Sequence, residues 1–165
     1  MSLLALLHVA CPALLAVLLI GAGVQDLRSM HIADGFSLAI AGLFVVWAAG
    51  EIASGRMALL GAGLAVGCAV AVFAAGAAVF AVGALGGGDV KLLSAVSLFA
   101  GPSGLPGFLT ITAIAGGLLG VAILAGAPIG QPAMGPLRVR LRAGLPYGPA
   151  IAAGGLWVAA THIMS

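Results

Sequence analysis

The chain has 165 residues, of which 63% are hydrophobic and only 6% are charged, and its formal net charge is +2. A soluble domain of this size needs far more charge on its surface, and so small a net charge does not indicate a nucleic-acid partner. The long apolar runs instead predict an all-α, polytopic membrane protein that forms a single domain over residues 1–165.

The apolar runs predict about six transmembrane helices. In chain order they cover about Leu3 to Val24, Asp34 to Gly50, Met57 to Leu85, Asp89 to Ala100, Leu105 to Ala127 and Tyr147 to Ile163. The first has no Lys or Arg before its apolar run, and we expect a retained helix rather than a cleaved signal peptide. The fourth is the shortest, and the sequence Gly-Pro-Ser-Gly that follows it favours a turn.

Glycine is abundant, with 27 residues, and we expect most of it to serve helix packing. Small residues let helices approach closely in lipid. Both Gly63-x-x-x-Gly67 and Gly116-x-x-x-Gly120 have the spacing that such packing uses.

The basic residues predict the orientation of the chain. Most of them lie in or beside loops that share one side of the membrane, namely Arg28, Lys91, Arg138, Arg140 and Arg142. By the positive-inside rule this side is the cytoplasmic face of a bacterial inner membrane, and both termini then lie outside. We expect the three arginines of the last loop to contact anionic membrane lipid.

The four acidic residues divide between the two sides. Asp26, Asp34 and Asp89 are predicted on the cytoplasmic side, whereas Glu51 lies near the outer side together with Arg56. A carboxylate at a membrane boundary is costly unless it has a partner or a chemical task. Three acids on one face therefore call for an explanation.

Asp89 follows three consecutive glycines and precedes Lys91 by two positions. If Asp26 lies near it, the two carboxyl groups do not both ionise readily, and the pair titrates as a unit. The ionised member can activate a water, while the protonated one polarises a carbonyl, as in aspartic proteases. Glycines would let a substrate backbone approach Asp89, and the start of a helix would favour its anion. From these residues alone, the alternative that both acids only anchor or cap helix ends stays open.

Three motifs carry a resemblance to a known family. Gly86-Gly87-Gly88-Asp89 resembles the GxGD signature of intramembrane aspartyl proteases, in the form found in type IV prepilin peptidases. Asp26-Leu27-Arg28 followed by His31-Ile32-Ala33-Asp34 resembles the first aspartate motif of that family, with Ala33 in place of its proline. The run from Leu145 to Ile151 resembles the proline-rich entry to the family's last helix.

The resemblance implies an endopeptidase that cleaves the leader peptide of type IV prepilin or pseudopilin precursors at the cytoplasmic membrane face, with Asp26 and Asp89 as the catalytic pair. It implies no metal and no other cofactor. Larger members also methylate the new N-terminus and carry an added cytosolic segment, often with zinc-binding cysteine pairs. This chain looks like the short form that serves Flp (tight-adherence) pilins, and we expect cleavage without methylation.

Further residues of these motifs are candidates for supporting the site or the approach of the substrate: Gly86, Gly87, Gly88, Lys91, Arg28, Asp34, Pro146, Tyr147, Gly148 and Pro149. Asp34 is expected to cap a helix or support the site, and otherwise to be an alternative catalytic partner. Lys91 balances the charge of the pair, binds a lipid phosphate or extends to the interface. Arg28 orients Asp26 or anchors the surface, and Tyr147 lines the substrate path or is an interfacial aromatic.

Two other classes of function remain as alternatives. A small transporter or a pilus-assembly scaffold would use an Asp to carry a proton or to pack helices. A rhomboid-like serine protease would use Ser103, within a Gly-x-Ser-Gly sequence, together with His162. The sequence does not predict the oligomeric state.

Overall fold

The computed structural model describes residues 3–125 and 146–164, and this part of the chain is helical, without strands. It contains five helices, which are α1 Leu3–Ser29, α2 Asp34–Ala53, α3 Leu59–Ala81, α4 Gly87–Leu124 and α5 Gly148–Met164. The first four are long and apolar enough to cross a membrane. The all-α membrane architecture is thus confirmed, but the count of six transmembrane helices is not. The predicted loop with Arg138, Arg140 and Arg142 lies outside the described residues, as does Ala127.

The fourth and fifth predicted helices are two parts of α4, which join at Gly101 with non-helical φ and ψ of 58° and −176°. This region is open essentially to glycine alone, and a proline follows it, which also disfavours a continuous helix. Before Gly101, Val96 lies near Gly155, and the backbone carbonyl oxygen of Phe99 is hydrogen-bonded to the ring of His162. After it, Gly107 packs on Trp157 and Gly116 on Tyr147. The chain therefore reverses at Gly101, and the second part of α4 runs antiparallel to α5.

The end of α1 differs from the prediction. Helix α1 continues past Val24 to Ser29, so the polar residues Gln25 and Asp26 form its last turn and do not break it. Its final carbonyls are satisfied locally, because the Ser29 hydroxyl donates to Gln25 O at 2.8 Å and Met30 N–H donates to Asp26 O at 2.8 Å. Met30 has a φ of 53°, a position where glycine is usual, at a steric cost of about 1–2 kcal/mol.

Helix α3 ends at Ala81, earlier than the predicted Leu85. Gly83 has a φ of 75°, and its N–H donates to Phe80 O at 2.8 Å. This left-handed glycine closes the helix in the usual way for a C-terminus. The backbone then turns into Gly86, the residue that precedes α4.

The core lies where α1, α2, α5 and the first part of α4 meet. Leu15, Leu19, Val96 and Ile151 are fully or almost fully buried there. Large apolar side chains also cover the outside of the bundle, for example Leu59, which is 77% exposed. Apolar residues on every side are what helices surrounded by lipid require, so the interior is set by packing between helices rather than by an apolar stripe.

Candidate active site

Asp26 is buried in the last turn of α1 and contacts the start of α5. Its Oδ2 accepts a hydrogen bond of 2.8 Å from the backbone N–H of Gly148. The first N–H groups of a helix have no partner within the helix and carry the positive end of its dipole. The carboxyl group of Asp26 therefore caps a helix that begins 122 residues further along the chain.

Close packing between α1 and α5 makes this bond possible. Gly23 lies one turn before Asp26 on the same face of α1, and it packs against the backbone of Pro149. A Cβ added to Gly148 would lie 2.6 Å from Asp26 Cβ and 2.9 Å from its Oδ2. Only glycine therefore fits at position 148 while Asp26 keeps its place. Gly148 and Pro149, which the sequence offered as residues that support the site or the approach of the substrate, thus contact α1 at Asp26 and Gly23.

Asp89 lies in the first turn of α4, and its side chain is 9% exposed. Its Oδ2 accepts a hydrogen bond of 3.2 Å from the N–H of Gly86, the residue that precedes the helix. The carboxyl group reaches back to the start of its own helix, as an acidic residue at this position does in a capping box. Each of the two carboxyl groups thus accepts one backbone N–H at the beginning of a helix.

The glycine run positions the start of α4. A Cβ at Gly86 would lie 2.6 Å from Asp89 Oδ2, and one at Gly88 would lie 3.1 Å from the carbonyl oxygen of Ile32. Gly87 faces the ring of Phe80. Glycine at positions 86 and 88 therefore permits close packing within the protein. At Gly86 it leaves room for the carboxyl group of Asp89, and at Gly88 it lets the start of α4 contact the loop between α1 and α2.

The structure brings Asp26 and Asp89 close enough for the charge of Asp26 to act on Asp89. His31 also interacts electrostatically with Asp26. Among residues 3–125 and 146–164, neither carboxyl group forms an ion pair with a lysine or arginine, and the Oδ1 atoms of both have no hydrogen bond. Within the described residues, each group is thus held by its Oδ2 atom alone.

Gln25 is a residue that the sequence interpretation missed. Its Oε1 accepts a hydrogen bond of 3.0 Å from the N–H of Ala33. A proline at position 33, as in the family motif, would have no such donor. The signal was present, since replacing a proline by alanine adds an N–H that needs an acceptor near Asp26. Through Ala33, Gln25 fixes the loop on which Gly88 packs.

Asp34 and Lys91 form an ion pair with each other. Lys91 Nζ lies 2.8 Å from Oδ1 and 2.7 Å from Oδ2 of Asp34, and the two side chains are 47% and 62% exposed. Ala33 occupies the position before α2, and no side chain caps that helix. The expectation that Asp34 caps a helix is therefore wrong. Lys91 neutralises Asp34 rather than the Asp26–Asp89 pair.

Other motif residues lie around the pair without contacting its oxygen atoms. Arg28 is exposed in the last turn of α1 and forms no ion pair within the described part of the chain, so it does not orient Asp26. Its position two residues after Asp26 places it on a different face of the helix. Pro146 is fully buried, and Tyr147 packs against Gly116 of α4.

Ser103 and His162, the candidate nucleophile and base of a serine protease, are not paired with each other in the described chain. His162 Nε2 lies 2.8 Å from the carbonyl oxygen of Phe99, and its ring packs on that of Trp47 with centroids 4.6 Å apart. Ser103 is exposed, and in the described chain it has no hydrogen bond to His162. The arrangement that a Ser–His pair requires is not formed.

The opposite end of the bundle holds the fourth acid. Glu51 is 5% exposed, and Arg56 binds it through Nε at 2.9 Å and Nη2 at 2.9 Å. His8 Nδ1 lies 3.0 Å from Glu51 Oε1. The hydrogen bond to this carboxylate raises the pKa of the Arg56 guanidinium above its ordinary value. Glu51 is thus a paired carboxylate that ties α1 to the end of α2.

The described chain is thus an all-helical membrane protein with two buried carboxyl groups at one end of the bundle. The profile of the type IV leader peptidase family matches residues 13–121, which include Asp26 and Asp89. The match covers more than half of the chain, and the protein belongs to the type IV leader peptidase family. It is therefore a membrane-embedded peptidase of the prepilin-peptidase type. No curated protein and no solved structure matches it significantly.

Proposed function

We propose that the protein is an aspartyl endopeptidase that removes the leader peptide of Flp-like type IV prepilins, with Asp26 and Asp89 as its catalytic pair. The observation that carries this proposal is the shared environment of the two acids. Both are buried, they interact electrostatically, and each is fixed by one backbone N–H at a helix start. Family membership supplies the peptidase class and the kind of substrate.

The mechanism follows from a pair that holds one proton. The ionised carboxylate takes a proton from a water, whose oxygen forms a bond to the carbonyl carbon of the scissile peptide. The protonated carboxyl hydrogen-bonds to the carbonyl oxygen and stabilises the charge that develops there. When the C–N bond breaks, the leaving amine takes a proton from the pair, which returns to its starting state. Hydrogen bonds to both Oδ2 atoms would keep the Oδ1 atoms directed at the substrate.

Charge at the two ends of the bundle supports a cytoplasmic site. Arg28 and Lys91 lie at the end that holds Asp26 and Asp89, whereas Arg56 lies at the other. The excess of basic residues near the acid pair corresponds to the cytoplasmic side. A substrate with a positively charged leader would meet the pair there.

Cleavage without methylation is the second part of the proposal. The chain has 2 cysteines, and these lie apart in α1 and α3 as free thiols. They do not supply the cysteine pairs that hold zinc in the added segment of methylating members. We expect the processed pilin to keep an unmodified N-terminus, which mass spectrometry of the mature product would establish.

Coexpression with an Flp-type prepilin tests the catalytic pair. Asp26→Asn and Asp89→Asn preserve shape but remove the carboxylate, and each is expected to lower the cleavage rate by at least about a thousandfold. Asp34→Asn is the matched control, because it removes an exposed acid at the same end, and its rate should stay within roughly threefold of the unsubstituted enzyme. Processing at the ordinary rate by either pair variant would disprove the assignment.

The same variants separate the enzyme from a transporter. Vesicles that contain the protein should cleave the prepilin and show no flux that depends on Asp26 or Asp89. Asp-dependent proton or solute flux without any cleavage would instead identify a transporter.

A further inference from the structure

An apolar groove of about 550 Å³ is lined in part by residues that adjoin the backbone donors of the two acids. The second part of α4 contributes Leu109, Thr112 and Gly117, and the start of α5 contributes Tyr147 and Ile151. The opposite wall includes Leu85, immediately before the glycine run. The groove therefore lies between the two segments that hold the carboxyl groups.

The walls of the groove are continuous with the site. Leu85 directly precedes Gly86, whose N–H binds Asp89, and Tyr147 directly precedes Gly148, whose N–H binds Asp26. Leu93 also lines the groove, and it lies one helical turn beyond Asp89 on the same face of α4. A polypeptide whose scissile bond lies at the acid pair would therefore have this apolar groove next to the residues that donate to the two acids.

We propose that the groove receives the apolar membrane-embedded segment of the substrate, next to the peptide bond that the pair cleaves, and that Gly117 provides the surface on which this segment packs. This proposal rests on the proposed function. Tyr147 marks the end of the groove near the acids, and Leu109 lies towards the reversal at Gly101. The groove thus leads from the residues next to the site into the apolar part of the bundle, where an apolar segment of the substrate would lie.

Gly117 favours a helix as the occupant over a lipid chain. It is exposed, and a Cβ added there would meet no atom within 4 Å. With Gly120 it gives this face of α4 a strip without side chains, and such strips permit the backbones of two helices to approach in lipid. An acyl chain has no need of that approach, whereas an apolar helix that must place one peptide bond at the acids does.

A larger side chain at position 117 tests the proposal. Gly117→Leu is expected to raise the KM for a prepilin by at least about tenfold while kcat changes by less than about threefold, because it blocks binding without reaching the acids. The matched control is Gly67→Leu on α3, where glycine is likewise exposed with open space around it and does not line the groove. The control should keep both constants. An unchanged KM for Gly117→Leu would overturn the proposal.

Photocrosslinking gives a second readout that does not need an active enzyme. A photoreactive residue at position 117 or 67 is placed in the Asp89→Asn variant, which retains bound substrate. Crosslinks from position 117 to the apolar segment of the prepilin, with none from position 67, would support the groove. Crosslinks to lipid alone at both positions would overturn it. If Asp89→Asn itself cleaves normally, the proposed function fails instead, and the two failures are thereby distinguished.

Discussion

The buried carboxyl groups at the two ends of the bundle have different kinds of partner. Glu51 accepts hydrogen bonds from Nε and Nη2 of Arg56 and also contacts the ring of His8. Asp26 and Asp89 receive one backbone N–H each, and no lysine or arginine of the described residues pairs with them. Lys91, the ammonium nearest in sequence to Asp89, pairs with the exposed Asp34 instead.

Under the proposed function, this difference separates a structural acid from one that takes part in catalysis. A bidentate arginine satisfies a carboxylate and fixes its charge, so Glu51 joins helices and has no capacity left to exchange a proton. Backbone donors fix the position of an oxygen without supplying a full charge. An acid pair held in this way keeps its orientation and remains able to give and accept protons.

Among the residues that hold the acid pair in place, the largest expected effect comes from Gly148→Ala. The new Cβ would lie 2.6 Å from Asp26 Cβ, so the aspartate must move and its bond to the start of α5 is lost. A displacement of this size at a catalytic group is expected to lower the cleavage rate by about a hundredfold or more. Gly35→Ala is the control, because nothing lies within 4 Å of a Cβ there. Equal rates for the two variants would show that the position of Asp26 is not set by this contact.

At the opposite end, Glu51→Gln is expected to change stability and leave catalysis intact. It removes the charge that Arg56 and His8 share, and we expect a loss of about 1–3 kcal/mol, below the range for fully buried pairs because Arg56 is partly exposed. Thermal unfolding in detergent micelles measures this loss, and kcat should stay within about twofold.

Asp26→Asn completes the comparison. Removing a charge from a buried, unpaired position is expected to leave the unfolding temperature unchanged or higher while activity is lost. If Glu51→Gln abolished cleavage, or if Asp26→Asn destabilised the protein as strongly as Glu51→Gln, the separation of roles between the two ends would be refuted.

The smallest expected effect concerns Gln25. Gln25→Ala leaves the N–H of Ala33 without its acceptor, at a cost of about 1 kcal/mol, and loosens the loop on which Gly88 packs. Ala33 has a φ of −67°, which suits proline. Adding Ala33→Pro to Gln25→Ala should therefore restore most of the stability and the cleavage rate, since it removes the unpaired N–H. Additive losses in a double-mutant cycle would contradict this coupling.

The sequence was most informative where a residue type is rare. With 4 acidic residues in the chain, Asp26 and Asp89 stood out, and their motifs placed them at one end. The donors that hold them are backbone N–H groups, which every residue except proline has, so no residue type indicates them. The predicted break at Val24 was wrong for a related reason, because a polar residue in the last turn of a helix does not end it.

The sequence did not predict which polar side chains pair with each other across the bundle. Lys91 lies two residues from Asp89 yet pairs with Asp34, which is 57 positions away. His8 and Glu51 are separated by 43 positions. Such partners are decided by which helices become neighbours, and in lipid that choice depends on packing between apolar surfaces without a strong periodic signal. The turn at Gly101 and the return of the chain after it were anticipated from the Gly-Pro sequence and the two apolar runs, but the contacts of both parts of α4 with α5 were not.

The bond between Asp26 and Gly148 also has a consequence for the biosynthesis of the enzyme. Its two ends are 122 residues apart, and the donor belongs to the last helix of the bundle. A chain that emerges from the ribosome inserts α1 first, and Asp26 then remains without this donor until α5 has entered the membrane. The surroundings of Asp26 are thus complete only after α5 has packed against α1.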